Sequence, residues 1–100
     1  MSVPINDLLE PKAHRKGRLC VTGTGTTVHR IAVWYKMGMS PEEISREFVH
    51  LPIAGVYAAL AYYHANQAEM EAEIAADQAE EERIEAEWLA ARQEQEKIAA

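Results

Sequence analysis

The chain holds a single cysteine, Cys20, among 100 residues. That excludes an intrachain disulfide and any cysteine-based metal site, and it suits a reducing cytoplasm. No apolar run approaches the ~20 residues that span a bilayer. The first stretch, MSVPINDLLEPKAHRKG, has no apolar core of signal-peptide length. A soluble cytoplasmic protein with no membrane partner is therefore expected. Basic charge is scarce, but only in one half: residues 1–50 carry seven Lys/Arg against five Asp/Glu, whereas residues 51–100 carry three against eleven. An overall charge of −6 argues against non-specific coating of nucleic acid, which needs a concentrated basic face. A basic front and an acidic back still permit DNA at one end and a basic protein at the other. A chain of 100 residues is one domain of modest core, near the size where oligomerisation often adds stability, so a homodimer is expected.

The run RIAVWYKMGMSPEEISREFVHLPIAGVYAALAYYHAN, residues 30–66, reads as three short helices separated by two tight corners, the spacing of a helix-turn-helix unit. The first corner is specified four ways. Gly38 suits the left-handed position that ends a helix, Ser40 and Glu43 form a capping box, Pro41 falls at the first helical position, and Met39 and Ile44 are spaced as a hydrophobic staple. The first helix, about residues 26–37, places Val28, Ile31, Ala32 and Tyr35 on one stripe that Val33 and Trp34 widen. The second, residues 41–48, offers Ile44 and Phe48. The third, about residues 52–63, aligns Val56, Ala59, Leu60 and Tyr63, while Ala54, Gly55, Ala58 and Ala61 allow another helix to approach closely.

Residues 1–18 read as a loose arm containing Pro4, Pro11 and a basic cluster. Leu19, Cys20 and Val21 suit a short strand that needs a partner, either a neighbouring segment or a second subunit, and Gly23 and Gly25 suit a turn. Asn66 with Glu69 repeats the capping-box pattern. Beyond it an Ala-, Glu- and Gln-rich stretch without Gly or Pro predicts one long helix of about 50 Å. Met70 and Ile74 form one apolar patch on it, and Ile84, Trp88 and Leu89 another. The expected class is mainly α: an N-terminal arm with a short strand (1–25), a three-helix helix-turn-helix core (26–66) and a long acidic C-terminal helix (67–100).

The pieces GMSPEEI, at residues 38–44, and VYAALAYYHAN, at residues 56–66, carry a resemblance that covers residues 19–78. The chain resembles the bacterial domain-of-unknown-function 433 family, whose members are often described as similar to VapB-type antitoxins. The resemblance implies a small helix-turn-helix protein paired with, and binding, a ribonuclease-like toxin. The family pattern usually shows a Gly-Thr-Arg run entering the first helix. Gly23 and Thr24 match it, but residue 25 is glycine, so whatever that arginine does in relatives is not carried over.

Base readout normally uses the first turn of the second helix of the motif. Here that turn is Pro52, Ile53, Ala54 and Gly55, with no polar side chain. Glu42, Glu43 and Glu47 against Arg46 on the preceding helix would repel phosphate. The motif is thus either a DNA reader or a packing scaffold. If DNA is bound, Lys12, Arg15, Lys16 and Arg18, with Arg30, Lys36 and Arg46, are the candidate contacts, giving weak, salt-sensitive binding; the alternative is a solvated arm. TGTGTT is not a phosphate cradle, since it lacks the GxxxxGK[ST] spacing. His14, His29, His50 and His64 have no metal-ligand spacing and are expected at the surface or at helix ends. No nucleophile signature is present, so neither catalytic residues nor a cofactor nor a metal is expected, and the chain reads as a non-enzyme.

Ile84, Trp88 and Leu89 are the candidate partner-binding residues, because an exposed Trp is frequently an anchor. The alternatives are a solvated helix or self-association, although Asp77 and Glu81 interrupt a coiled-coil seam. Three functions remain open: an antitoxin-like protein whose C-terminal helix docks on a toxin, a helix-turn-helix regulator without a toxin, and an oligomeric adaptor.

Overall fold

The computed structural model describes residues 2–48 and 51–99. Two strands, β1 (Leu9–Pro11) and β2 (Leu19–Val21), precede four helices: α1 (Val28–Lys36), α2 (Pro41–Glu47), α3 (Ile53–Ala65) and α4 (Gln67–Ala99). Single 3-10 turns occupy Ile5–Asp7 and Ala13–Arg15. The mainly helical class with a short β element and a long final helix is thus the observed one. The chain divides into two compact units, Met1–Met70 and Glu71–Ala100.

The N-terminal arm is not loose. β1 and β2 pair antiparallel, with Leu9 opposite Val21, Glu10 opposite Cys20 and Pro11 opposite Leu19. The strand at residues 19–21 therefore finds its partner within the chain. Pro11 sits at the ladder's end on an edge strand, the place in a sheet where a missing N–H is tolerated. On the other side of β2, Cys20 bridges to Thr27 and the Val21 N–H donates to Thr26 O at 3.0 Å. This brings the chain into α1 directly alongside the ribbon.

Helix ends follow the local chemistry closely. The Thr27 hydroxyl accepts from Arg30 N at 3.1 Å and so caps α1. At the other end Gly38 has φ +103°, Gly38 N–H donates to Tyr35 O and Met39 N–H to Trp34 O, the paired bonds of a Schellman ending. Ser40 and Glu43 then close a reciprocal capping box with Pro41 in the first turn of α2. Asn66 behaves differently from expectation. Its side-chain amide donates to Tyr62 O at 3.0 Å, so it closes the end of α3, because the carbonyls left open there lie within its short reach.

The first unit packs α1 against α3, α2 against α3 and α1, and both β2 and β1 against α3. Its core is Cys20, Val21, Val28, Ile31, Ala32, Ile44, Leu51, Val56, Ala59, Leu60, Tyr63 and Met70. All four residues aligned on the third helix are in it. Trp34 is half-buried by stacking on Phe48, with centroids 4.1 Å apart, so the widened face of α1 is partly covered within the chain. Tyr35, placed on the α1 stripe by spacing, lies instead at its margin, exposed, with its ring edge-on to Tyr63 and His64. Gly55 does admit a close neighbour, but that neighbour is the strand: a Cβ on Gly55 would overlap Val21 Cγ1. His29 is a second departure. It is buried, because residue 29 lies one turn before Ala32 on the covered side of α1.

In the second unit Ile74 is buried, and every residue from 78 to 98 is exposed. Arg83 pairs with Glu80 at 2.5 Å and Glu87 at 2.8 Å, and Arg92 with Glu96 at 3.6 Å. The two carboxylates, Glu80 foremost, hold the Arg83 pKa above its ordinary value. These are solvent-exposed pairs at helical spacing, which support the helix only weakly.

Candidate functional site

Four of the seven candidate DNA contacts, Lys12, Arg15, Lys16 and Arg18, fall in the connection between β1 and β2, a seven-residue segment without Asp or Glu. The segment is closed by its own backbone. Lys12 N–H donates to Arg18 O at 3.1 Å and Gly17 N–H to Lys12 O at 3.0 Å, while Arg15 N–H and Lys16 N–H complete the 3-10 turn. Lys16 and Gly17 both take left-handed conformations, φ +60° and +74°, which turn the chain back toward β2. A lysine in that region is uncommon, and only the glycine at 17 hinted at it in the sequence.

Glu10 ties this connection to the next loop. Its carboxylate accepts from Lys12 Nζ at 2.7 Å and from the Gly23 N–H at 3.1 Å, and these two bonds, Lys12 first, hold its pKa below the usual carboxylate range. The Thr22 hydroxyl donates to Asp7 O at 2.6 Å. Gly25 lies beneath the cluster: a Cβ there would stand 3.5 Å from Arg15 Nη2 and 3.5 Å from His14 Nε2. Burial raises the pKa of the neighbouring Cys20 thiol, which keeps it neutral and unreactive.

The other three candidates are not gathered there. Arg30 is in the first turn of α1 and Lys36 in its last; six residues apart, they point about 240° around the helix from each other. Arg46 is on α2 among Glu42, Glu43 and Glu47. The first turn of α3 exposes Ile53 and Ala54 and buries Gly55. One turn on, the Tyr57 hydroxyl donates to Glu42, an interaction that lowers the Glu42 pKa and raises that of Tyr57. Glu10, Glu42 and Tyr57 were not legible as site-ordering residues, since each acts across 12 or more positions of chain.

The three partner-binding candidates are all on the distal part of α4. Ile84 is 52% exposed, Trp88 58% and Leu89 43%. Ile84 and Trp88 share one face, one turn apart, and Arg92 lies over the indole at 5.4 Å, a cation–π contact. Leu89 is rotated by about 100° from Trp88. Among the described residues no group of His, Cys, Asp or Glu is arranged to hold a metal ion, and no helix is long and apolar enough to cross a membrane. His50 lies outside the described residues.

Fold and site together define a small, mainly helical protein in which a basic β-ribbon precedes three packed helices in the sequence and a long acidic helix follows them. The chain belongs to the DUF433 family of proteins of unknown function, whose model matches residues 12–63. The match begins at Lys12, takes in the basic connection, α1, α2 and all but the last two residues of α3, and ends before α4. No curated protein and no solved structure matches the chain.

Proposed function

We propose that this chain is an antitoxin-like protein of a bacterial toxin–antitoxin pair, acting in the cytoplasm, whose distal α4 docks on a basic, ribonuclease-like toxin. The observation that carries the reading is the exposure of Ile84, Trp88 and Leu89 on a helix with eleven Asp/Glu against three Lys/Arg. Burying two or three large apolar side chains supplies the anchors of an interface. The surrounding carboxylates complement the basic surface that a protein acting on RNA phosphates requires. The resemblance drawn from GMSPEEI and VYAALAYYHAN, which implies a VapB-like antitoxin, is in keeping with this reading. It is a non-enzymatic role that uses no cofactor.

Self-association belongs to the proposal on narrower grounds than the sequence suggested, since β2 is paired and Trp34 partly covered within the chain. Among the described residues the sheet ends at β1, whose outer edge is the place where a second copy would pair. The basic β1–β2 connection favours one further reading, a DNA-binding regulator acting through the N-terminal half with or without a toxin. An oligomeric adaptor is the remaining alternative.

The test is co-expression with the reading frame adjacent to this gene. Expression of the neighbour alone should arrest growth, the full chain should relieve the arrest, and the two proteins should co-purify. Trp88→Ala and Ile84→Ala should each weaken the complex by about 1–3 kcal/mol. Relief that persists when residues 79–100 are deleted would overturn the reading.

A further inference from the structure

We propose that the connection from Lys12 to Arg18 is a preformed clamp for the phosphates of duplex DNA, presented at the end of the β1–β2 ribbon. The proposal rests on the DNA-binding reading of the N-terminal half and not on the tail. It assigns the contact to the ribbon tip and takes it away from the helix-turn-helix.

Charge density is the first ground. Lys12, Arg15, Lys16 and Arg18 stand within seven residues, with His14 among them and no carboxylate in the segment. This is the concentrated basic face that the chain as a whole, at −6, does not have. Order is the second. A loose arm gives up conformational freedom when it settles on a duplex. Here the loop is already closed by Lys12 to Arg18, Gly17 to Lys12 and the 3-10 turn bonds. The third ground is the way the neighbouring loop supports it. Glu10 holds Gly23 and Lys12 together, and the ends of the Arg15 and His14 side chains lie beside Gly25, within ordinary contact of a Cβ placed there. The tip of a two-stranded ribbon is also a shape that a DNA groove admits. The rival surface argues the same way by its chemistry. The first turn of α3 has no exposed polar side chain, Tyr57 is engaged with Glu42, and α2 carries three carboxylates. Contacts confined to phosphates hold the protein on the duplex and carry no sequence information.

The experiment measures binding of the full chain to a labelled mixed-sequence duplex by fluorescence anisotropy across a salt series. Lys12 is already paired with Glu10, so three phosphate contacts give a slope of log K against log salt of about −2.7, or about 40-fold loss between about 50 and about 200 mM salt. Neutralising the clamp with Lys12→Gln, Arg15→Gln, Lys16→Gln and Arg18→Gln together should abolish most of the slope, while circular dichroism shows an unchanged fold. The parallel variant Arg30→Gln, Lys36→Gln and Arg46→Gln, which removes nearly as much charge from other places, should keep a slope close to the parent's. Binding that survives the first variant and fails with the second would overturn the clamp and leave DNA binding standing. A parent chain that does not bind the duplex at low salt would overturn both. Tighter binding of single-stranded RNA than of the duplex would overturn the choice of ligand.

Discussion

α1 and the distal half of α4 are both helices, and they are helical for opposite reasons. α1 has nine residues, four of them buried, a threonine cap at its start and a glycine ending at its close. A helix of that length is marginal by itself and exists because its apolar side is covered. From residue 78 to 98, α4 buries nothing and depends on composition alone: Ala, Glu, Gln and Arg, with exposed ion pairs a turn apart. Evolving a short packed helix constrains nearly every residue, whereas a long solvated one leaves its surface free for another task. The family match ends at residue 63, within α3, so it takes in the packed helices and none of the solvated part of α4.

The comparison breaks most visibly in the core. Ile44 is completely buried in the seven-residue α2, so Ile44→Ala should cost about 2–5 kcal/mol, measured by urea unfolding. The same change at Ile84 on α4 should cost less than about 0.5 kcal/mol. Equal losses at the two places would dissolve the contrast. Gly55→Ala comes next. Helix propensity alone would favour alanine by about 1 kcal/mol, but the new Cβ would overlap Val21. A net loss of about 1–3 kcal/mol is expected from overpacking, and a gain in thermal stability would show that β2 yields easily to α3. Ser40→Ala removes one arm of the capping box and should cost about 1 kcal/mol, a change visible in the same melts.

How much of this was readable in advance follows from the same contrast. The corner at residues 37–41 was fully legible because each of its devices acts within four positions of chain. So were Val56, Ala59, Leu60 and Tyr63, whose burial follows helical spacing, and the long α4, whose composition admits little else. The ribbon was not. β1 is three residues long and ends in Pro11, which reads as a breaker, and the left-handed turn is led by Lys16, a residue with no turn preference. What orders the site, Glu10 on Gly23 and Tyr57 on Glu42, comes from pairs made only once the chain is folded. Gly55 was read correctly as a place of close approach, but spacing cannot say that the neighbour is a strand. The burial of His29 at the start of α1 follows from its position one turn before Ala32, which residue type does not convey.

The smallest expected effect concerns acid. Lys12 and Gly23 hold the Glu10 pKa below its ordinary 4.5, so the folded state binds this proton less readily than the unfolded chain. The stabilisation from Glu10 is therefore present at neutral pH and fades as pH falls below about 4.5 through the lower folded value. Because the carboxylate is exposed, the contribution is slight. Melts at neutral pH and near pH 3 should show Glu10→Gln losing slightly less stability than the parent on acidification; an identical or greater loss would mean that the tie between the two loops has no energetic weight.

The division between a folded unit and a solvated distal helix is put to the test by ending the chain after Gln78 and following its thermal unfolding beside that of the full chain. Among the described residues every buried one lies before that point. A cooperative melt is expected, with its midpoint moved by less than about 4 °C, the shift that about 1 kcal/mol would produce in a domain of this size. A melt that broadens or collapses on truncation would contradict it and return distal α4 to the protein's own fold.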